Sequence, residues 1–346
     1  MTLISRRAFA LALGASMLAL SAGASFAIDY PAPTPLKDGA QADNAKIAKA
    51  EKVTIAYMPP ATEFNYYIAI GEGIKAAAGA AGVETFMLAP QSGADINGQM
   101  GMIQDAMTKN VSAIILSTHD EAAAAPLVKQ AIDKGIAVVI VNSDIAAFPT
   151  PITGVVGYSQ RKGTAKLGEY FLGKVGDKGA KIGIIEGMPG YHSTERVGGF
   201  LDTVKGKPGI EIKASIAGGW NVEGGNTAAM DLLQANPDVD TLFAANDYMI
   251  MGAALAAKAL GRTVTLLGND GDTAALEQIA DGTIGATVNT TPFVMGQIAF
   301  QVTMDALGGK FKGGFVETPT TIVDKESVVP FLKAADTLYP KPSKAY

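Results

Sequence analysis

Short apolar runs alternate with longer stretches of helical period from residue 53 onward. Runs that are apolar on both faces predict buried strands, at 53–58, 83–88, 112–117 and 136–141. Between them, apolar positions recur every three to four residues and predict helices, at 66–80, 96–109 and 121–134. The second half repeats this rhythm, with predicted strands near 181–186, 210–216, 240–245, 263–267 and 284–288. Such alternation is typical of parallel sheets covered by helices on both faces.

The two halves also match in detail. Aligned strand on strand, His119 meets Asn246, Asp120 meets Asp247 and Asn142 meets Asn269, each pair separated by 127 positions. The repeat predicts an α/β fold of two doubly wound, Rossmann-like lobes, although any two βαβ units share some of this pattern. Ligands of such sheets bind beyond the carboxyl ends of the strands, where helix N-termini also point.

Composition narrows the class of protein. The 346 residues are 48% hydrophobic and include 40 glycines, enough for two domains with separate cores. A net charge of -5 without a basic cluster beyond the first residues makes nucleic acid a poor partner. The chain has no cysteine and two histidines, which excludes thiol chemistry and disulfides and leaves little for a zinc site or a Ser-His-Asp triad.

The first residues resemble an export signal. Paired arginines precede an Ala/Leu/Gly-rich stretch, and small residues at Ser25 and Ala27 precede a plausible cleavage point. "SRRAF" resembles a twin-arginine signal, while a Sec signal with two basic residues and a permanent membrane span are the alternatives. Residues 1–27 are therefore predicted to be removed from a protein of the periplasm, and 28–50 to form an N-terminal tail.

The ends of the predicted strands carry polar and aromatic side chains. Amides and carboxylates hydrogen-bond hydroxyl groups, while Tyr and Trp faces pack on the C–H faces of a sugar ring. These side chains together predict a pocket for a small neutral polyhydroxy compound. They occur in "TEFNYY" (62–67), Ser117 to Asp120, "NSD" (142–144), "GMPGYHSTER" (187–196), "GGWN" (218–221), "AND" (245–247), "GNDGD" (268–272) and "NTTP" (289–292).

Several of these residues have structural alternatives. Asp247 and Asp272 each precede a predicted helix and are expected to cap it, whereas Asn246 is assigned to the ligand. Tyr66 and Tyr67 could belong to a helix core, but two adjacent rings are not expected to point inward together. The carboxylates lack the spacing of a calcium loop, so no metal and no cofactor are predicted.

Motifs of catalysis are missing from the sequence. The glycines from Gly71 onward fall inside and after a helix, not between strand and helix as in a nucleotide-binding fingerprint. The sequence also lacks a phosphate-binding P-loop, a nucleophile elbow and a zinc-binding histidine pair. These observations indicate a binding protein, not an enzyme.

From about Glu51 to Val329 the chain resembles the ribose/galactose type of periplasmic solute-binding proteins, which feed ABC transporters. The resemblance rests on distributed segments: "NYYIAIGEGIKAAA", "GIAVVIVNSD", "ERVGGF", "LFAANDYMIMGAALAAKALG", "LLGNDGD" and "IGATVNTTP". It implies two lobes between which the chain crosses three times, near Gly157, Thr290 and Pro319. The implied lobes are 51–157 with 291–319 and 158–290 with 320–335, followed by a tail at 336–346.

The resemblance also implies site residues and partners. It assigns the ligand contacts to Tyr66, Tyr67, Ser117, Asn142, Arg196, Trp220, Asn246, Asp270 and Thr290, with Asn65, His119, Asp144 and Asn269 as further candidates. The implied partners are a sugar or polyol ligand and an ABC permease, for a protein that acts as a monomer. Substitution of Arg196 or Trp220 by alanine is expected to weaken ligand binding and to leave the melting temperature of the unliganded protein nearly unchanged.

The chain departs from the family at three positions. Asn142-Ser143 stand where sugar binders often carry Asp-Arg, Asn269 replaces an aromatic residue, and Thr290 replaces a longer amide. A polyol, a modified sugar or a signalling molecule of the autoinducer type therefore stays open as the ligand. The rival functions are a periplasmic sensor subunit that acts on a chemoreceptor or sensor kinase, and the effector-binding core of a LacI-like repressor. The repressor is disfavoured because an export signal stands where its DNA-binding helices would be.

Overall fold

The first of two six-stranded sheets combines strands from both ends of the chain. The computed structural model describes residues 28–340, and all neighbouring strands of this sheet are parallel, in the order β11-β5-β4-β3-β1-β2. Its members are β1 (Thr54–Met58), β2 (Glu84–Met87), β3 (Ala113–Leu116), β4 (Ala137–Val141), β5 (Gly154–Gly157) and β11 (Phe315–Glu317). Every residue of β3, β4 and β5 is buried, as expected for strands covered on both faces.

The second sheet has the corresponding order, β12-β10-β9-β8-β6-β7. Its strands are β6 (Ala180–Glu186), β7 (Ile210–Ala217), β8 (Thr241–Ala244), β9 (Thr265–Asp270), β10 (Ala286–Asn289) and β12 (Thr321–Asp324). Only the edge strand β12 runs antiparallel to its neighbour. The same strand order in both sheets agrees with the repeat detected in the sequence.

Helices cover both faces of each sheet. Those of the first lobe are α1 (Asn65–Ala81), α2 (Ile96–Thr108), α3 (Glu121–Asp133) and α9 (Pro292–Leu307). Those of the second lobe are α4 (Gln160–Val175), α5 (Tyr191–Val204), α6 (Val222–Ala235), α7 (Asp247–Ala259), α8 (Thr273–Asp281) and α10 (Val328–Lys333). Asp95 and Asp120 cap α2 and α3 by accepting backbone N–H groups at 2.9 and 2.8 Å, which fixes where these helices begin.

The chain passes between the two lobes three times. It crosses between β5 and α4, between β10 and α9, and between β11 and β12. The predicted fold of two doubly wound lobes with three crossings is confirmed. The crossings place the carboxyl ends of both sheets against each other, so the polar strand ends face a common cleft.

Segments predicted as tails lie against the lobes where the structure describes them. Thr34 forms an antiparallel bridge with Phe315 and thereby covers the edge strand β11. At the other end, α11 (Ala335–Leu338) contacts α9, and the Tyr339 hydroxyl donates to the Asp270 carbonyl oxygen at 3.3 Å. The predicted signal at 1–27 and the last residues, 341–346, lie outside the described residues. Within 28–340, no helix is both long and apolar enough to cross a membrane.

Candidate functional site

A cavity lies between the lobes at the carboxyl ends of the strands. Its walls combine aromatic rings, two amides, two imidazoles and one oppositely charged pair. They are formed by Phe64, Tyr66, Tyr67, His119, Asn142, His192, Arg196, Trp220, Asn246, Tyr248 and Asp270. Eight of these eleven residues are candidates from the sequence, and the cavity lies where the strand topology predicts a ligand site.

Two adjacent tyrosines at the start of α1 form the aromatic wall of the first lobe. Tyr66 and Tyr67 are 3% and 7% exposed, with ring centroids 5.5 Å apart and planes at 88°. The expectation that adjacent rings cannot both point inward is wrong, because the first turn of α1 lies at the junction of both lobes. The Tyr66 hydroxyl donates to Asn142 Oδ1 at 2.9 Å and lies 2.8 Å from Thr290 Oγ1. Asn142 Nδ2 in turn donates to the Tyr67 hydroxyl at 3.4 Å.

Arg196 is the buried cation of the cavity. Its Nη1 donates to the Ala245 carbonyl oxygen at 3.0 Å and to Asp270 Oδ1 at 3.1 Å. Nε donates to Gln160 Oε1 at 3.0 Å. Three of the five guanidinium hydrogens are therefore used, and the two on Nη2 have no acceptor among the described residues. The Arg196 side chain also lies over the Tyr158 and Trp220 rings, at 5.7 and 5.4 Å from their centroids.

The charge of Arg196 is balanced inside the cavity. Burial raises the pKa of Asp270 to about 6, and the neighbouring guanidinium opposes that rise. Both partners of this ion pair are therefore charged at neutral pH. Asn269 Nδ2 also donates to Asp270 Oδ1 at 3.1 Å, and it donates to the Tyr158 hydroxyl at 2.9 Å. The cavity thus offers many hydrogen-bonding groups and no net charge, which favours an uncharged polar ligand.

Trp220 and His119 face each other across the cleft. Their rings are nearly parallel, with an interplanar angle of 27° and centroids 6.2 Å apart. The indole fits because residue 187 is glycine: a Cβ there would lie 2.0 Å from a Trp220 ring atom. Trp220 is only 5% exposed, and its ring forms one wall of the cavity.

Both histidines of the chain lie in the cleft, one from each lobe. Burial is the main reason that the pKa of His119 falls to about 4, and Arg196 lowers it further. The pKa of His192 is also lowered well below its ordinary value by burial and by Arg196. Both imidazoles are therefore neutral at pH 7 and can donate and accept hydrogen bonds.

The capping role predicted for Asp247 belongs instead to Asn246. Asn246 is the cap of α7, since its Oδ1 accepts the Met249 N–H at 2.9 Å, and it also lines the cavity. The prediction that Asp247 caps this helix is wrong. Its fully buried carboxylate accepts the backbone N–H groups of Gly271 and Asp272, both at 2.8 Å, and so holds the turn after β9.

Three cavity residues have left-handed backbone conformations. Asn142, Trp220 and Asp270 have φ values of 60°, 70° and 139°, a region that residues other than glycine rarely adopt. Such residues cluster at binding sites, where the surrounding fold maintains a conformation that costs about 1–3 kcal/mol. All three residues line the cavity.

The other predicted contacts lie beside the cavity. Asn65, Ser117, Asp144, Asn269 and Thr290 are absent from its walls. Thr290 and Asn269 support Tyr66 and Asp270, while Ser117 is buried at the end of β3, where its carbonyl oxygen accepts from Gln99 Nε2 at 2.7 Å. Three lining residues were missed, namely Phe64, His192 and Tyr248. Phe64 and His192 lie within strand-end segments named in the sequence analysis, and Tyr248 directly follows a third.

The lobes touch each other around the cavity. The Asn65 N–H donates to the Tyr248 hydroxyl at 3.0 Å, and the Tyr248 ring meets Phe64 edge to face at 5.4 Å. On the hinge side, Asp144 accepts from the Tyr191 hydroxyl at 3.1 Å and from the Gln160 N–H at 3.2 Å. These contacts describe a closed cleft. Among residues 28–340, no group of three or more His, Asp or Glu side chains is placed to hold a metal ion.

Comparison with known proteins defines the class. The family model described as "periplasmic binding protein domain" matches residues 55–311. A D-ribose/D-allose-binding protein of Pseudomonas aeruginosa is 33% identical over 66% of this chain and 75% of its own length. A ribose import binding protein of Bacillus subtilis is 30% identical, over 71% of this chain and 78% of its own.

A solved structure agrees with these sequence relatives. The periplasmic solute-binding protein of an ABC transporter from Actinobacillus succinogenes, crystallised with D-allose, has a TM-score of 0.74 and 25% identity. The match covers 80% of this chain and 99% of the other. The chain therefore belongs to the periplasmic binding protein family. This family consists of solute-binding proteins and not of enzymes, which agrees with the prediction from the sequence.

Proposed function

We propose that this protein captures a small uncharged sugar or sugar alcohol by closing its lobes around it. The closed protein then delivers this ligand to an ABC permease. The observation that carries the proposal is the cavity itself. Among residues 28–340, its only charged groups are Arg196 and Asp270, which compensate each other, and the remaining walls are amides, neutral imidazoles and aromatic rings. Uncharged polyhydroxy compounds match this set of groups.

Both lobes contribute walls to the cavity, which explains how a ligand favours closure. Tyr67 and His119 come from the first lobe, and Arg196 and Trp220 come from the second. Only the closed form makes all contacts, so the ligand shifts the hinge equilibrium by its differential affinity for that form. A wrong stereoisomer leaves buried groups unpaired at a cost of about 1–3 kcal/mol each, which supports selectivity.

A thermal-shift screen tests the proposal. D-ribose and D-allose are the first candidates because relatives are named for them, and sugar alcohols of three to six carbons extend the panel. Sugar acids serve as charge controls, since the Arg196 charge is already balanced. A rise in melting temperature with at least one neutral compound, and its loss in Trp220→Ala, is expected. A flat response over the whole panel would contradict the carbohydrate ligand.

The partner and the route to the periplasm are also proposals. The family relationship supports an ABC permease as the partner of a monomeric binding protein. A sensor subunit for a chemoreceptor or sensor kinase is the alternative, and neighbouring genes for a histidine kinase in place of a permease and ATPase would favour it. Cleavage near Ala27, after either twin-arginine or Sec export, predicts a mature N-terminus at Ile28, which sequencing of the exported protein would check.

A further inference from the structure

A buried glutamine stands where the chain first crosses between the lobes. Gln160 is the first residue of α4, follows the crossing from β5 and is 0% exposed. A buried amide is costly unless its polar groups are hydrogen-bonded. Gln160 does not line the cavity, so its side chain has a role other than direct contact with a ligand there.

Gln160 is bonded to the first lobe through two contacts. Its backbone N–H donates to Asp144 Oδ2 at 3.2 Å, and its Nε2 donates to the Asn142 carbonyl oxygen at 3.4 Å. Both acceptors follow β4, on the far side of the crossing. The position of the glutamine amide therefore depends on how the first lobe meets the hinge.

The same amide is bonded to the second lobe through α5. Gln160 Oε1 accepts from Arg196 Nε at 3.0 Å, and Nε2 lies 2.8 Å from His192 Nδ1. His192 Nδ1 also lies 3.1 Å from Gln160 Oε1, so both polar atoms of the amide face this imidazole nitrogen. One amide thus links the Asn142 backbone, His192 and Arg196.

We infer that Gln160 is a positioning residue that orients the Arg196 guanidinium toward the cleft when the lobes are closed. Gln160 fixes Nε, while Ala245 and Asp270 fix Nη1, so that the Nη2 hydrogens are left for the ligand. Since the amide also bonds to the first lobe, closure and the orientation of Arg196 are coupled. This inference deepens the proposed function and rests on it for the identity of the bound compound.

A double-mutant cycle tests the contact between Gln160 and Arg196 without any ligand, because both residues belong to the second lobe. Trp220 is the only tryptophan, and Arg196 lies over its ring, so indole emission reports the guanidinium position. Gln160→Leu removes the amide, and Arg196→Lys removes Nε but keeps a cation near Asp270. Both single variants are expected to shift the emission maximum, and the double variant to shift it no further than Arg196→Lys alone.

A second buried glutamine provides the matched control. Gln99 is 1% exposed and its Nε2 donates to the Pro59 and Ser117 carbonyl oxygens, bonds that involve neither Arg196 nor α5. Gln99→Leu is expected to lower the melting temperature and to leave Trp220 emission unchanged. Gln160→Glu keeps an acceptor for Nε but loses the donor to the Asn142 carbonyl oxygen, so its emission is expected to lie closer to wild type than that of Gln160→Leu, which a merely structural role would not produce.

The affinity for D-ribose gives the second readout. If wild type binds D-ribose, Gln160→Leu is expected to weaken binding about ten- to a hundredfold, and to have no further effect in the Arg196→Lys background. Unchanged emission in Gln160→Leu, or additive effects of the two substitutions on emission, would overturn the inference. Failure of wild type to bind any sugar of the panel would count against the proposed function alone, because the emission cycle needs no ligand.

Discussion

Acid is expected to open the cleft through His119. In the closed protein this imidazole lies among Trp220, Arg196 and His192 of the second lobe and Phe64 and Gly93 of the first. Opening would return it to water, where an imidazole has a pKa of about 6.5. Closure therefore favours the neutral form, because a proton on His119 would be placed in a buried site beside a guanidinium.

The sign and size of the effect follow from the two pKa values of His119. The pKa is about 4 in the closed form, so the preference for closure is complete above about pH 6.5 and is lost as the pH falls toward 4. Between pH 7 and pH 5 the closing equilibrium falls by up to about twentyfold, or about 2 kcal/mol. His192 acts in the same direction, since its pKa is also lowered by burial.

Buried carboxyls oppose this effect, so the assay must isolate the histidine. Burial raises the pKa of Glu121, Asp144 and Asp270, which favours closure in acid if opening exposes them. His119→Gln keeps a hydrogen-bonding side chain that does not titrate. The affinity for the identified sugar, measured by calorimetry at pH 7 and pH 5, should fall up to about twentyfold more in wild type than in His119→Gln. Equal pH dependence in both proteins would refute the reasoning.

Three further substitutions test individual contacts. Gly187→Ala should displace the Trp220 ring and weaken ligand binding at least tenfold in calorimetry, whereas Gly79→Ala, whose Cβ meets no atom within 4 Å, should leave binding unchanged. Arg196→Met should cost about 3–5 kcal/mol of unfolding free energy in urea titrations, because it leaves Asp270 buried without its partner. This replaces the sequence-based expectation of an unchanged melting temperature; a loss below 1 kcal/mol would contradict it. Asp247→Asn should lower the melting temperature by several degrees, since the two carboxyl oxygens accept three hydrogen bonds and an amide has only one oxygen; an unchanged value would show that the amide suffices.

The fold could be predicted from the sequence because local pattern and topology agree. Buried parallel strands require continuous apolar runs, so strands such as β3 and β4 can be predicted from their own sequence without knowledge of the neighbouring strands. Strands β5, β11 and β12 were not predicted. The edge strands β11 and β12 are three and four residues long and mix buried with exposed positions, while β5 is buried but has only four residues, two of them glycine, so none of the three shows a clear apolar pattern.

Details of the site depend on contacts that sequence cannot show. The alignment of the two halves of the chain pairs Asp120 with Asp247. In the structure the helix caps are Asp120 and Asn246, so the capping positions of the two lobes differ by one residue from that alignment. Asp247 is buried because Gly271 and Asp272 come from the turn after β9, a contact between elements distant in sequence. The left-handed backbones of the cavity are likewise imposed by the surrounding fold, and residue type alone does not predict them.

The late return of the chain to the first lobe has a consequence for folding during synthesis. Helix α9 and strand β11 complete the first lobe, and β12 completes the second. Neither lobe can therefore be complete before the residues from Pro292 onward have been synthesised. Until these residues have left the ribosome, the nascent chain exposes apolar faces that belong against α9 and the edge strands. A transcript truncated before this point would yield a chain with neither lobe complete, and such products are natural substrates for chaperones and proteases.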